Sequence, residues 1–133
     1  QRSFCLGLTK LHTSSETTKE NNIMATLTKT QECIEACTEC FLECERTIKN
    51  MLMKGGKSDK GACPLCCQEC RDICELCVKS LTREGEFAAR FCAVCAEVCD
   101  WCAKECDKME HEQCKKCAES CRRCAEQCRA VAA

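Results

Sequence analysis

The chain has 133 residues, enough for one domain around one core, and 21 of them are cysteine. Aromatic residues make up only 4% and tyrosine is absent, so the chain lacks the large side chains of an ordinary hydrophobic core. The net charge of −1, from 20 basic and 21 acidic residues in mixed order, excludes the basic surface of a nucleic-acid-binding domain.

Residues 1–25 are predicted to form a short N-terminal segment and a linker, ahead of a domain at residues 26–133. Residues 13–18 are rich in Ser and Thr, a composition typical of linkers. Cys5 and His12 have no neighbours at ligand spacing. We therefore interpret them as an incidental thiol and a surface imidazole.

The cellular location depends on this segment. Arg2 and the residues after it have a faint similarity to the end of a twin-arginine export motif, but the apolar region of a signal peptide does not follow. No run approaches the roughly 18 apolar residues that span a bilayer. We expect a soluble cytoplasmic protein without membrane contacts; export is the alternative if residues 1–23 are the remnant of a signal.

The rest of the chain predicts four helices. Glycines at 55 and 56 should end the first helix, and a proline at 64 should lie in the first turn of the second. The predicted bounds are about 26–53, 63–81, 86–108 and 112–131. Because the links are short, we expect an all-α, up-down-up-down four-helix bundle.

All cysteines except Cys5 lie on helical stripes. They recur mostly at alternating steps of three and four residues, which place one residue type on a single face of a helix. Four such stripes facing each other would line the core with thiols. The candidate metal ligands are Cys33, Cys37, Cys40, Cys44, Cys63, Cys66, Cys67, Cys70, Cys74, Cys77, Cys92, Cys95, Cys99, Cys102, Cys106, Cys114, Cys117, Cys121, Cys124 and Cys128.

Thiols without metal explain the pattern poorly. Cysteine can act as a small buried hydrophobe, but filling nearly every core position with it sacrifices the apolar volume that stabilises a bundle. Disulfides between i,i+3 or i,i+4 neighbours would close only very short loops, where the entropic gain is smallest, and 21 cysteines leave one unpaired.

Zinc is a serious candidate because CxxC pairs are common zinc ligands. The motif is nevertheless unspecific here, since any cysteine-filled heptad contains it. Each Zn²⁺ in four thiolates has a local charge of −2, so about five stacked sites would bury a charge of about −10. Zinc or general heavy-metal buffering stays the alternative function.

Cu(I) avoids this accumulation of charge. It is soft, monovalent and bound by two or three thiolates. If each sulfur bridges two ions, about 20 Cu(I) ions would balance the charge of about 20 thiolates, and the core would be close to neutral. A linear S–Cu–S unit spans roughly 4.3 Å, which i,i+4 neighbours can reach because their Cβ atoms are about 5–6 Å apart.

The two ends of the predicted bundle differ. One end collects thioether and imidazole groups, which are copper ligands, so we predict it to be the entrance, with packing and capping as the alternative roles. Its residues are Met51, Met53, Cys63, Cys66, Met109 and His111, of which Met51, Met109 and His111 are the predicted additional ligands. The opposite end should be closed by an apolar plug of Leu27, Leu81, Phe87, Phe91 and Val131.

Helix 3 has a second apolar stripe one residue away from its cysteines. We interpret it as lateral packing on neighbouring helices, with a contact to another subunit or to the N-terminal segment as the alternative. The stripe consists of Phe87, Phe91, Val94, Val98 and Trp101.

With these four stripes, residues 26–131 resemble the bacterial copper storage proteins, a family of cysteine-lined four-helix bundles. The pattern CxxCxxxCxxCxxxC, complete at residues 92–106 and 114–128, is highly specific. The resemblance implies storage of many Cu(I) ions in a preformed bundle and assembly as a homo-oligomer, usually a tetramer. A copper chaperone or an acceptor protein would then be a further partner.

An enzyme is not expected. The sequence reserves no open metal position, places no acid–base pair in a pocket pattern, and leaves no room in the core for a substrate.

Overall fold

The structure, a computed structural model, describes residues 14–54 and 62–133. They form four helices: α1 (Ser14–Met53), α2 (Leu65–Thr82), α3 (Ala88–Asp107) and α4 (Glu112–Ala132). α1 contacts α2, α2 contacts α3, α3 contacts α4, and α4 contacts α1, so the helices occupy the corners of a square. The expected all-α, up-down-up-down four-helix bundle is confirmed.

α1 extends well beyond the bundle at its N-terminal end. It begins at Ser14, so the prediction of a start near residue 26 and of a linker before it is wrong. The stretch contains neither glycine nor proline, and its threonines bond back to the preceding turn, as Thr18 does to Ser14 O at 2.8 Å and Thr26 to Asn22 O at 2.9 Å. Because these hydroxyls are satisfied within the helix, a Ser/Thr-rich composition does not end it. Residues 14–29 are exposed throughout.

The other helix ends lie within two residues of their predicted positions. The glycines at 55 and 56, which were predicted to end α1, lie outside the described residues. α2 begins at Leu65, with Pro64 at the N-cap position, whereas we expected it to open at Cys63. α3 begins at Ala88 rather than near residue 86. Cys63 therefore lies in the turn before its helix.

The turn between α2 and α3 depends on two unusual positions. Glu84 has φ of 53°, in the left-handed region. Gly85 donates its N–H to Ser80 O at 2.8 Å, and a Cβ at this glycine would lie 2.7 Å from Ser80 Oγ. A side chain at position 85 would therefore require Ser80 to shift, so glycine suits this close approach to the end of α2.

Small residues separate the helices behind the thiols. Ala36, Ala96, Ala103, Ala118 and Ala125 are each at most 3% exposed. Their short side chains let helix backbones approach closely, which brings thiols from different helices within contact distance. The core is therefore narrow and consists mainly of sulfur.

The end of the bundle at the α2–α3 turn, here called the far end, is closed only in part by the predicted plug. Leu81 is 5% exposed, and Phe91 and Val131 pack against the core. Leu27 and Phe87 are each 52% exposed, so their predicted burial is wrong. Leu27 belongs to the part of α1 that extends beyond the other helices, and Phe87 precedes α3.

The outer surface is charged. Arg71 pairs with Glu45 at 2.8 Å and links α2 to α1, and Arg123 pairs with Glu39 at 2.6 Å and links α4 to α1. Such exposed pairs contribute about 0–1 kcal/mol each, so the buried thiols and alanines decide the packing. Neither described part of the chain contains a helix long and apolar enough to cross a bilayer.

Candidate metal centre

The twenty cysteines on the helical stripes all face the core. None is more than 2% exposed, and all are free thiols. A helix places every third or fourth residue on one face, and in this chain that face is cysteine in all four helices. The predicted cysteine-lined core is confirmed; Cys5 lies outside the described residues.

The thiols stack in five layers of four along the bundle axis, numbered from the far end. The opposite end, where α2 and α4 begin, is called the mouth end. Layer 1 is Cys33, Cys77, Cys92 and Cys128; layer 2 is Cys37, Cys74, Cys95 and Cys124; layer 3 is Cys40, Cys70, Cys99 and Cys121; layer 4 is Cys44, Cys67, Cys102 and Cys117; layer 5 is Cys63, Cys66, Cys106 and Cys114.

Thiols within a layer are in contact. In layer 3, Cys40 Sγ lies 3.6 Å from Cys70 Sγ and 3.7 Å from Cys121 Sγ, and Cys70 Sγ lies 3.6 Å from Cys99 Sγ. These distances join residues from different helices. Layer 3 is thus a connected group of sulfur atoms rather than four separate side chains.

Successive layers are also in contact. Cys37 Sγ of layer 2 lies 3.6 Å from Cys128 Sγ of layer 1, and Cys67 Sγ of layer 4 lies 3.8 Å from Cys106 Sγ of layer 5. In the middle of the bundle, one group of four Sγ atoms within 4.8 Å of one another joins layers 3 and 4 through Cys44. The sulfur atoms therefore form one continuous column.

Neighbours on one helix contribute to the column as the spacing predicts. Three i,i+4 pairs have Sγ atoms in contact. The Sγ–Sγ distance is 3.8 Å for Cys95–Cys99, 4.0 Å for Cys102–Cys106 and 3.9 Å for Cys124–Cys128. Two thiols one turn apart can therefore share an ion without any change in the helix.

Hydrogen bonds between the thiols shift their pKa values in opposite directions. Cys124 donates to Cys37 Sγ at 3.6 Å, and this bond first of all lowers the pKa of Cys37. The pKa of Cys124 is raised by its hydrogen bonds with Cys128 and Cys37 and by burial. The pKa of Cys74 is raised in the same way, by Cys124 first. Many thiolates cannot be buried together, so the column stays largely protonated until cations replace the protons.

Layer 5 is built differently from the other four. α1 contributes no cysteine to it, while α2 contributes Cys66 and the turn before α2 contributes Cys63. In α1, the steps of three and four residues that follow Cys44 reach Thr47, fully buried, and Met51, 4% exposed. Met51 therefore continues the thiol stripe with a thioether, a relation that its spacing in the sequence already contained.

The structure separates the remaining candidates at the mouth end. Met109 is half-buried and packs against the core, whereas Met53 is 79% exposed. His111 is half-buried at the N-cap of α4, where its Nδ1 accepts a hydrogen bond from Gln113 N–H at 3.3 Å. His111 thus has a structural role as a helix cap, and its Nε2 is the nitrogen left for a ligand.

Sequence reasoning missed one carboxylate beside the column. Glu105 is 8% exposed, and its Oε1 and Oε2 accept hydrogen bonds from Lys108 Nζ and Ala62 N–H, both at 2.6 Å. The Lys108 bond first and then the Ala62 bond lower the pKa of Glu105. Glu105 belongs to an ordinary charged face in the sequence pattern, and nothing local indicates a partner 43 residues away.

The geometry fits soft metal ions. Several groups of four buried thiols have Sγ atoms within 4.8 Å of one another, a spacing that suits thiolate-bound Cu(I) and also tetrahedral zinc. The net charge of the filled core distinguishes the two metals. Each Zn²⁺ in four thiolates leaves a buried charge of −2, whereas Cu(I) shared between bridging thiolates leaves almost none. Fold and site together define a metal-binding four-helix bundle whose ligands are stacked thiols.

Comparison with known proteins identifies this class more closely. Residues 26–133 match the model of the copper storage protein family, and the chain belongs to that family. The curated "uncharacterized cysteine-rich protein YhjQ" of Bacillus subtilis is 38% identical over 68 residues, which is 51% of this chain and 63% of that relative. The chain therefore spans less than two thirds of the length of this relative.

Solved structures show the same fold. The Cu(I)-bound copper storage protein Csp3 of Bacillus subtilis is 38% identical, with a TM-score of 0.72 over 79% of this chain and 99% of that one. The apo form of the same protein gives 38% identity and a TM-score of 0.71 over 78% and 99%. A protein of Nitrosospira multiformis gives 32% and 0.69, over 79% and 95%.

Proposed function

We propose that this protein stores and sequesters Cu(I) in its thiol column, with residues 26–133 as the storage domain. The observation that supports this proposal most directly is a column of twenty buried thiols in five layers, each of which contacts the next layer. A protein with a single zinc or cluster site needs four ligands, not five stacked layers. The family and the Cu(I)-bound relative support the same metal.

Bridging gives the capacity. If each sulfur joins two ions and each ion is held by two thiolates, the number of ions equals the number of thiols, about 20 per chain. The core is then close to neutral, which a buried environment requires. The role that we propose is storage rather than catalysis, in line with the copper storage protein family.

Anaerobic titration tests this proposal. Reduced protein should take up well over ten Cu(I) ions per chain, approaching about 20, in competition with a chromophoric chelator. Saturation at four or five ions with tetrahedral geometry would instead support the zinc or heavy-metal alternative. The apo protein should already be helical by circular dichroism, because the heptad spacing and the buried alanines define the helices without metal.

We further propose that copper enters and leaves at the mouth end, with Met51, Met109 and His111 as additional ligands. Met51 supports this assignment because it lies on the thiol stripe itself. Thioether and imidazole bind Cu(I) without the charge of a thiolate, which suits transfer. A copper chaperone or an acceptor protein would dock at this end.

A variant at the mouth end tests the entrance. Met51→Leu, Met109→Leu and His111→Asn together should slow copper loading and removal but leave the capacity nearly unchanged. Asparagine is chosen because it caps helices well, so α4 is kept. The exposed Met53→Leu is the matched control. Wild-type exchange rates in the triple variant would mean that these residues only pack and cap.

Two broader properties complete the proposal. Exposed Phe87 and Val94 on the second apolar stripe support assembly as a homo-oligomer, a tetramer by family resemblance, which light scattering on the purified protein would measure. The twenty free thiols suit a reducing compartment, so we propose a cytoplasmic location, with export as the alternative. Cell fractionation would distinguish the two.

A further inference from the structure

Cys63 is held differently from the other nineteen thiols of the column. It lies in the turn before α2, which begins at Leu65, whereas the others lie within helices. Its side chain is nevertheless 2% exposed, with Sγ 3.9 Å from Cys67 Sγ. Helix geometry does not fix this thiol, so contacts elsewhere must keep it in layer 5.

The residue before it provides such contacts. Ala62 donates its N–H to Glu105 Oε2 at 2.6 Å, and its carbonyl accepts from Cys66 N–H at 3.1 Å. The first bond attaches the start of α2 to α3, and the second attaches it to the first turn of α2. Both polar backbone groups of Ala62 are thus bonded, which fixes the chain directly in front of Cys63.

Glu105 is itself held in place. Its side chain is 11% exposed and pairs with Lys108 at 2.6 Å, so each carboxylate oxygen has a partner. A nearly buried carboxylate is costly unless it is bonded in this way. Glu105 also directly precedes Cys106 of layer 5 on α3. This one residue therefore connects the turn that contains Cys63 to the helix that contains Cys106.

We propose that Glu105 is a positioning residue that holds Cys63 in layer 5 through the backbone of Ala62, and thereby limits how fast ions exchange at the mouth end. Its carboxylate is a hard ligand with both oxygens occupied, so it does not bind copper itself. The control of exchange rests on the proposed storage function; the positioning of Cys63 does not.

Alkylation of the apo protein, resolved by peptide mass spectrometry, tests the positioning without copper. In Glu105→Ala, Cys63 should react about tenfold faster than in the wild type, the effect of losing a charge-assisted hydrogen bond on local opening. Cys33, at the far end, should keep its rate. Glu105→Gln should stay near the wild type because its amide oxygen still accepts from Ala62.

Further variants keep the test decisive. Glu97→Ala, on the exposed face of α3, is the matched control and should change nothing. Glu105→Asp keeps the charge but is one methylene too short, so it should accelerate Cys63 alone if Glu105→Ala fails to fold. A wild-type rate at Cys63 in the shortened variants, or equal acceleration of Cys33, overturns the positioning role.

Copper release then tests the consequence. A chelator should remove the first ions about tenfold faster from Glu105→Ala, with the capacity lowered by at most about one ion. Faster alkylation of Cys63 with unchanged copper release overturns the control of exchange. If the wild type itself takes up no copper, the storage function fails while the alkylation result still decides the role of Glu105.

Discussion

Replacing the four cysteines of layer 3 by serine should divide the thiol column into two parts. Serine keeps the shape of the side chain, and its hydroxyl can bond back to the preceding helical turn, as threonines of α1 do here. Hydroxyls bind soft Cu(I) poorly. The changed residues are Cys40, Cys70, Cys99 and Cys121, which between them contact both neighbouring layers.

The size of the effect follows from helix geometry. Cys37 and Cys44, on either side of the gap in α1, are seven residues apart, which is about 10.5 Å along the axis. In the intact column, by contrast, each layer has Sγ atoms within 4.8 Å of Sγ atoms in the next layer. Capacity should fall by about a fifth, because four of about twenty ligands are lost. Ions destined for layers 1 and 2 should load at least about tenfold more slowly, since they cross only when the bundle opens.

The matched control removes four thiols without interrupting the column. Serine at the four positions of layer 1 should lower the capacity equally, yet the remaining sixteen thiols stay in contact and should fill in one phase. Stopped-flow mixing with a Cu(I)–chelator complex under anaerobic conditions measures both rates. If the two variants load with the same rates and amplitudes, ions do not pass from thiol to thiol and the column is not a path.

Two further predictions concern the apo bundle. The pKa values of Cys74 and Cys124 are raised, so the folded state keeps protons that the unfolded chain loses above about pH 8.5. The stability that these protons contribute is complete below that pH and should fall progressively as the pH rises above it, lowering the midpoint of thermal unfolding. A midpoint independent of pH between 7 and 10 would contradict the protonated column. Glu84→Gly should raise the free energy of unfolding by about 1 kcal/mol by relieving the left-handed backbone, as denaturant titration would measure; a destabilised variant would show that Glu84 makes a contact worth more than the strain.

Periodicity predicted most of the metal centre. The steps of three and four residues in each helix placed the thiols on one face, and short links made the helices antiparallel, which together bring Cys40, Cys70 and Cys121 into one layer. These relations are local along the chain, so they can be read from the sequence. The same spacing also places Met51 on the thiol stripe of α1. Met51 was predicted as a ligand from its thioether, and its position on the stripe was not predicted.

Other features depend on contacts that spacing does not contain. The bond from Ala62 to Glu105 joins a backbone group to a side chain on another helix, and no pattern marks either residue. The N-terminal extension of α1 was misjudged because Ser and Thr are typical of linkers, although their hydroxyls can bond within a helix. Leu27 was assigned to a plug because the length of α1 beyond the bundle could not be foreseen.

The protonated column also determines whether the net charge of the molecule differs between its empty and its copper-filled form. When every sulfur bridges two ions, the full column holds one Cu(I) for each proton lost, so a positive charge has replaced a positive charge. The net charge of −1 and the isoelectric point near pH 6.2 therefore stay the same from the empty to the full protein. A partner that approaches the charged surface therefore finds the same net charge on the empty and on the full protein. A donor or acceptor can sense the load only through the mouth end itself, by the free or occupied ligands it meets there.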